Sequence, residues 1–557
     1  MARVSIANLK GPQGIQGLRG FPGVNAVPAD EAFAVYLAAP DSETGQAFRE
    51  TLNDVSNKVD AATFGVQASS ADNTAAMQAA MDAAVVTGKT LELPAGTLKT
   101  GALQINGPIS IVGKGKGVTK LSYTSSTAGI TLRSSGSITA NVTTVTANVA
   151  RGDSTITVSS TASLAVGDYI VLHDTASYVS TDASYKSGEQ LRVKQIVSAT
   201  QFVVHGNVRG SWGDAGRSYT TANGARISKL NFIEGVHISN LTIFTPTTQT
   251  SGAIRLEYVK TITIDNVEVA AGGTLGIFLM SCRDATIDNF TCHDLTNDLG
   301  NGFNGYAITL SQACENVTIT GGHIYNVRHG FTTIGGGYGM SHGVVVMGVT
   351  LSECTGNALD THAAGDGVLF ANNVIANGVG GISIRSRDTM VIGNLIRNVT
   401  SHGIAVTEGV AGTIDIKDNS ICRVVGGVHG IAVREQADNL RITGNTLEDI
   451  GADGIWVAAN SSSVFIANNY FKNLGRQLTN RNGIVAHTTG GITPSTSGWQ
   501  VIGNTFHQIT GSLARAIYGT AGVGMTMMNV HDNYATGVFS VTAFEFAANK
   551  GDGNKTF

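Results

Sequence analysis

Hydrophobic residues in this chain fall at every second position over short runs, and the runs themselves recur. From Arg226 onward the units include ITIDNVEVA, ATIDNFTCHD, VLFANNVIANGVGGISIR, MVIGNLIRNVTSHGIAV, IDIKDNSICRVVGGVHGIAV, LRITGNTLEDIGADGIWV and VFIANNYFKNL. Such alternation, rich in β-branched residues, is the period of a strand with one buried face. Matching Asn fall at Asn240, Asn266, Asn289, Asn373, Asn394, Asn419, Asn445, Asn469 and Asn504, mostly 21 to 26 residues apart. A repeat of that length is one coil that buries its apolar face only by stacking on its neighbours. Leucine-rich repeats share the period but need recurrent Leu, whereas β-branched residues alternate here. The pattern predicts an all-β chain wound as a right-handed parallel β-helix, with stacked Asn forming side-chain hydrogen-bond ladders at the turns.

Rungs of such a coil stack ~4.8 Å apart, so equivalent positions form columns. The recurrent small residues Gly276, Gly330, Ala358, Gly381, Gly403, Gly430, Gly454 and Gly483 set the register. The first and third residues after each point inward, the second and fourth outward. One outward column then reads Thr332, Asp360, Ser383, Ala405, Ala432, Trp456 and Val485. The next reads Ile334, His362, Arg385, Thr407, Arg434, Ala458 and His487. Aromatic, cationic and small residues on one face suit a sugar-binding groove, with Trp to stack on pyranose rings and Arg or His to hold hydroxyls and carboxylates; an ordinary solvated face is the alternative.

Upstream of the repeat the pattern changes four times. Residues 59–136 hold a helix-forming stretch, Thr74 to Ala84, with Asn73 as its N-cap candidate, followed by the first rungs. A helix there would cover the open end of the coil, where apolar core and unpaired edges are otherwise exposed. Residues 137–221 alternate strands with Gly-Asp turns and read as a small all-β insertion before the main β-helix of 222–557. Residues 30–58 read as a helical connector interrupted at Pro40. Within 1–29, Gly11, Gly14, Gly17, Gly20 and Gly23 keep a strict period of three. Only Gly fits the axis of a collagen triple helix, so this attachment segment predicts a homotrimer that holds three chains in register. A flexible Gly-rich linker is the competing reading.

Composition narrows the partners. Gly numbers 70 of 557 residues and charged residues are 14%, against ~7% and ~25% in ordinary soluble domains, which fits one elongated body of short strands and tight turns. A net charge of −4 without a basic stripe argues against nucleic acid. No run approaches the ~18 apolar residues of a membrane span, and the opening MARVSIANLK lacks the apolar core of a secretory signal. Synthesis and assembly in the cytoplasm, with no membrane insertion, is the expectation. Five Cys are scattered without metal-ligand spacing and read as buried thiols, so no metal or cofactor is expected.

The string FGVQASSADNTAAMQAAMDAA followed by LELPAGTL resembles the opening of the pectate-lyase-like domain in phage tail spikes and polysaccharide-degrading enzymes. The lead GPQGIQGLRGFPG and the connector VPADEAFAVYLAAPDSETGQAF are similar to minor tail proteins of phages that infect actinobacteria. The resemblance implies a trimeric tail spike or tail fibre in the virion tail, joined to other tail or baseplate proteins through its N-terminus. It further implies binding to host cell-envelope polysaccharide during adsorption. A non-catalytic adhesin and a purely structural shaft are the alternatives.

Cleavage would need its own groups. Glycoside hydrolysis uses two carboxylates about 5 to 9.5 Å apart, one protonated. The densest candidates are Arg328 and His329, then Asp360, His362 and Asp366, then Arg385, Arg387 and Asp388, then Glu408. Asp360 is the expected general acid, its pKa raised by a neighbouring carboxylate, with Asp366 or Glu408 as partner and His362 to orient substrate or shuttle a proton. Asp366 reads equally as a turn residue bonding its own backbone. His329, Arg385, Arg387, Arg434 and Trp456 are the expected substrate-binding residues. A lyase ranks below a hydrolase, because the Asp cluster that holds Ca²⁺ in such enzymes is missing.

Overall fold

The structure is a computed structural model that describes residues 57–556 except 126–128, 135, 179–181, 211–217, 246–251, 272, 302, 408–411, 435–436, 438, 459–460, 479–480, 488–497, 514, 520–527, 540–543 and 546–553. The collagen-like segment, nearly all of the 30–58 connector, and Glu408 lie outside the described residues.

Each rung contributes one strand to each of three parallel sheets. One turn of the coil runs Gly365–Ala371 in sheet 1, Val374–Gly378 in sheet 2 and Gly380–Ile384 in sheet 3, then returns to sheet 1 at Thr389–Ile392. Pairing is parallel and residue on residue, as in Phe370 with Val391, Ile375 with Ile396 and Ile382 with Ile404. Among the described residues sheet 3 stacks fourteen strands. Inward positions form one continuous core of Ile, Val and Leu from Val59 to Ala535, because alternate residues of every strand face the coil axis. Cys282, Cys292, Cys314 and Cys354 are buried in this core as free thiols.

The corner between sheets 1 and 2 is held by buried amides. Asn373, Asn394, Asn419, Asn445, Asn469, Asn504 and Asn533 are each at most 1% exposed. The Asn419 Oδ1 accepts from the Asn394 backbone N–H and Nδ2, both at 2.9 Å. Its Nδ2 donates to Val391 O at 2.8 Å and to Asn445 Oδ1 at 2.9 Å. The same pattern repeats up to Asn554. In each Asn one bond to a backbone N–H and one to a backbone O satisfy corner groups, which a buried chain bend requires.

Asn240, Asn266 and Asn289 do not belong to this ladder. They sit one position earlier, at left-handed corners with φ of 58°, 51° and 49°, and stand in line with Asn372, since Thr291 and Val374 share a column. The inner place is taken instead by Phe290 and Val349. Two Asn roles one residue apart look alike in a repeat whose spacing varies. Gly alternates with Asn or Asp at the left-handed corner for a steric reason: a Cβ on Gly393 (φ +67°) or Gly444 (φ +68°) would lie 2.4 or 2.2 Å from the Oδ1 of Asn372 or Asp418 in the rung before.

Helix α1, Thr74–Thr87, lays Met77, Ala80, Met81 and Ala84 over the first rungs. Its cap differs from the expectation. The Asp72 Oδ1 accepts from the Thr74 backbone N–H at 2.9 Å, while Asn73, buried, accepts from the Gln67 N–H and donates to Lys99 O. Among the described residues the insertion is a six-stranded antiparallel unit with its own core around Ile156, Ile170 and Phe202. Its last strand, Arg226–Asn231, pairs with Tyr169–Ser177 and Ser137–Thr144, so the unit ends beyond residue 221. RISKLN alternates like a rung, and only its partners distinguish the two. Among the described residues no helix is long and apolar enough to cross a membrane.

Replacing Asn419 by Ala strands Val391 O and the Asn394 backbone N–H inside the protein. At about 1 to 3 kcal/mol per buried unsatisfied group, chemical denaturation should show a loss of about 3 kcal/mol or more, whereas Asn398→Ala, on an exposed ladder, should cost under about 1 kcal/mol.

Candidate functional site

Sheet 3 carries the candidate site, and its strand pairing reproduces the first outward column residue by residue: Thr332, Asp360, Ser383, Ala405, Ala432, Trp456 and Val485 are consecutive partners. Tyr518 follows Val485. Most of this column is buried rather than exposed: Thr332, Asp360 and Ala432 are 0% accessible. Small residues form a floor, and longer side chains from the flanking columns fold over it. The result is two polar clusters separated by the small residues Gly380, Ser383 and Ala405.

The first cluster surrounds Asp360. Arg385 forks onto it, Nε to Oδ1 at 3.0 Å and Nη2 to Oδ2 at 2.5 Å. The His362 N–H donates to Oδ1 at 3.1 Å, and His362 Nε2 lies 3.4 Å from Oδ2. His362 and Ala363 are held at φ +36° and +51°, a conformation that costs energy in residues other than Gly. Burial alone raises a carboxyl's pKa, but hydrogen bonds and charge from His362 and Arg385 outweigh it and hold Asp360 well below the usual carboxylate range. This reverses the general-acid expectation. Asp360 is an anion that positions Arg385.

His329 stands beside it, donating Nδ1–H to Asn357 O at 2.6 Å. Burial lowers its pKa to about 4, so the ring is neutral at physiological pH. Tyr306 closes the cluster, its ring 5.0 Å from His329 and 5.6 Å from His362, and accepts from Arg328 Nη1 at 3.2 Å. The chain spacing hides that His329, Asp360 and His362 each offer a metal-ligand atom within 4.8 Å of one another. The guanidinium forked onto Asp360 opposes a cation there.

Asp366 and Arg387 lie elsewhere. The turn at 361–364 carries the chain from sheet 3, which holds Asp360, into sheet 1, which holds Asp366. It pairs with Arg387 at 2.9 and 2.8 Å beside His342. Burial raises its pKa, and His342 and Arg387 together pull it well below the usual range. Arg209 of the insertion reaches the same region, ion-paired with buried Glu315 and Glu189. This network seats the insertion on the β-helix, and Gln190 helps by donating to Ser281 O and Ala313 O.

The second cluster holds Arg434 and Trp456 of the expected set in a cleft of about 640 Å³, together with His429, Asp453, Arg481, Asn482, Val485, His487 and Tyr518. Rings stack along the axis: His402 on His429 at 5.6 Å, His429 on Trp456 at 5.6 Å, and Trp456 against His487 at 5.4 Å. His402, Asp453, Asn482 and their neighbours escaped sequence reasoning, although a signal existed. His329, Asn357, His402, His429, Asp453 and Asn482 each immediately precede an aligned small residue, so they form a third outward column.

The right handed beta helix region family matches residues 252–421 and again 380–550. Together these cover more than half of the chain, and the chain belongs to that family. Among solved structures it is similar to the tailspike gp61 of Pseudomonas phage phi297, at 16% identity and a TM-score of 0.63 over 85% of this chain and 82% of that one. The tailspike gp49 of Pseudomonas phage LKA1 is similar at 17% identity and a TM-score of 0.58, covering 89% and 84%. The Gp54 tailspike of Acinetobacter baumannii bacteriophage AP22, solved with A. baumannii capsular saccharide, gives 16%, 0.54, 91% and 80%. At these identities the likeness establishes the fold. No curated protein matches the sequence.

Asp360→Asn removes the buried carboxylate onto which Arg385 forks, so denaturation should reveal a loss of about 3 kcal/mol. Because the folded pKa of Asp360 lies below the unfolded value of ~3.9, its contribution is present above that pH and disappears as pH falls further. The buried imidazoles act in a higher window. His173, His329 and His402 titrate near about 4 when folded and near ~6.5 when unfolded. The unfolded chain therefore binds more protons between these values, and measured stability should fall as pH drops from ~6.5 to ~4, less steeply in a His329→Gln variant.

Proposed function

We propose that this protein is a virion tail spike that binds host cell-envelope polysaccharide through sheet 3 during adsorption. The observation that carries the reading is the groove itself: a floor of small residues, rings at 5.4 to 5.6 Å intervals, and Arg385 and Arg434 along its length. Aromatic faces stack on sugar rings, and guanidiniums form paired hydrogen bonds with hydroxyls or carboxylates. A linear polymer meets such groups repeatedly because rungs repeat every ~4.8 Å. The similar tailspikes support the assignment at the level of fold. His329, His362, Arg385, Arg434 and Trp456 are the binding residues, with Asp360 fixing Arg385.

Assembly belongs to the same proposal. The period-three Gly segment supports a homotrimer, with three β-helices packed about one axis and the N-terminus joined to other tail or baseplate proteins in the phage particle. The resemblance to minor tail proteins of actinobacteriophages supports that placement. Hydrolysis of the bound polymer through Asp360 loses its support, because that carboxyl is held ionised.

Incubation with host-envelope polysaccharide, followed by size analysis of the polymer and binding calorimetry, tests the reading. Trp456→Ala should weaken binding by about 2 kcal/mol, roughly 30-fold. Affinity unchanged in both Trp456→Ala and Arg385→Ala would remove sheet 3 as the binding face. Mass measurement of the full chain at micromolar concentration should give a trimer, and a monomer would overturn the assembly.

A further inference from the structure

The outer faces of sheets 1 and 2 carry apolar side chains that neither the core nor the groove uses. On sheet 1, Val345, Leu369 and Met390 are consecutive partners, and so are Met347, Ala371 and Ile392 beside them. Across the Asn corner, in the rungs of Leu369 and Met390, Val374 of sheet 2 pairs with Leu395. Met347 and Met390 are 40% and 43% exposed. Tyr470 and Tyr534, higher in the Val374 column, are 38% and 41% exposed. Among the described residues no strand of sheet 3 carries a large apolar side chain exposed to that degree. The sheet 1 patch is bounded, with Thr318 below Val345 and Asp415 above Met390.

A contiguous apolar face on a protein surface marks a contact with another chain. Its placement says which chain. The period-three Gly segment supports three copies that run parallel and in register, so neighbours meet at equal heights along the coil. Contacts in a three-membered ring are heterologous: each copy offers one surface to the next and a different surface to the one before. A patch that wraps one corner and occupies the same rungs on both sides of it supplies those two surfaces. Charge agrees. Two rungs above Met390, Arg441 on sheet 1 and Glu448 on sheet 2 are each the second outward residue from the corner. Placed face to face at one height, they have opposite sign.

We propose that the homotrimer closes about the corner between sheets 1 and 2, with sheet 1 of each copy packed on sheet 2 of the next. The inference rests on the homotrimer reading and adds the contact face to it. Leu369 and Met390 of one copy then cover Val374 and Leu395 of its neighbour, and Arg441 meets Glu448. Sheet 3 lies across the coil from this corner. Each polysaccharide groove therefore stays on the outside of the trimer and is built from one copy alone.

The full chain carrying Cys422→Ser, Arg441→Cys and Glu448→Cys tests the contact. The first substitution removes the one cysteine that is not buried, and the other two put thiols on the facing surfaces. Native mass is measured, circular dichroism checks the fold, and a bis-maleimide reaching about 10 Å, the spacing of packed sheets, is added before denaturing electrophoresis. A trimer by mass should become a covalent trimer, with no covalent species in Cys422→Ser alone. Leu369→Glu combined with Leu395→Glu probes the apolar half, because it brings like charges together. On dilution that trimer should dissociate at a protein concentration at least ~10-fold higher than the unsubstituted one. Val197→Glu, at an exposed site on the insertion, should leave dissociation where it was. A trimer by mass that yields no covalent dimer or trimer, or whose dissociation ignores the two glutamates, overturns the contact face and leaves the homotrimer standing. A monomer by mass overturns both.

Discussion

A chain that turns three corners per rung must satisfy the backbone groups it buries at each corner. The Asn ladder from Asn373 to Asn554 does this at the corner between sheets 1 and 2. Each side-chain amide bonds both to the backbone and to the next Asn, so a slip of one rung by one residue would break bonds above and below it. That coupling fixes register, and register fixes everything on the outer faces. Side chains alternate with period two, so one shifted residue would turn Trp456 and Arg385 inward and the core isoleucines outward.

Fixed register explains why chemistry appears on sheet 3 as columns. Side chains separated by more than twenty residues in the chain meet because their strands are direct partners. Asp360 and Arg385 form one fork across adjacent rungs, and Asp453 meets His429 the same way. Burial then sets the charge states. Small floor residues let the flanking side chains close over the carboxylates, and a buried carboxylate survives as an anion only when paired with a guanidinium or imidazole. The histidines respond in the opposite sense, with His329 and His402 kept neutral by desolvation.

The insertion divides the surface. Its Arg209, with Glu189 and Glu315, and its Gln190 hold it against the turns between sheets 3 and 1. Asp366 and Arg387 belong to that junction. Their nearness in sequence to Asp360 and Arg385 is a consequence of the tight turn at 361–364, which sends neighbouring residues to different faces. A groove running from Tyr306 to Tyr518 is left on sheet 3, with polar clusters at both ends of a smooth middle.

Period and alternation were enough to fix the coil, its inward core and the outward column from Thr332 to Val485, because both are local properties that stacking merely multiplies. The helix over the first rungs was legible for the same reason. Other features depended on partners that lie far away in the chain. Asn289 and Asn373 are the same residue type at nearly the same spacing, and only the strand pairing separates a left-handed corner from a buried ladder. RISKLN has the alternation of a rung but pairs inside the insertion. Asp360 could be named as a site residue, yet its ionisation was set by Arg385 and His362 reaching it from a neighbouring rung and turn. The sequence determined which residues face outward; the tertiary structure decided which of them are buried together, and electrostatics in a desolvated site follows that proximity rather than chain order.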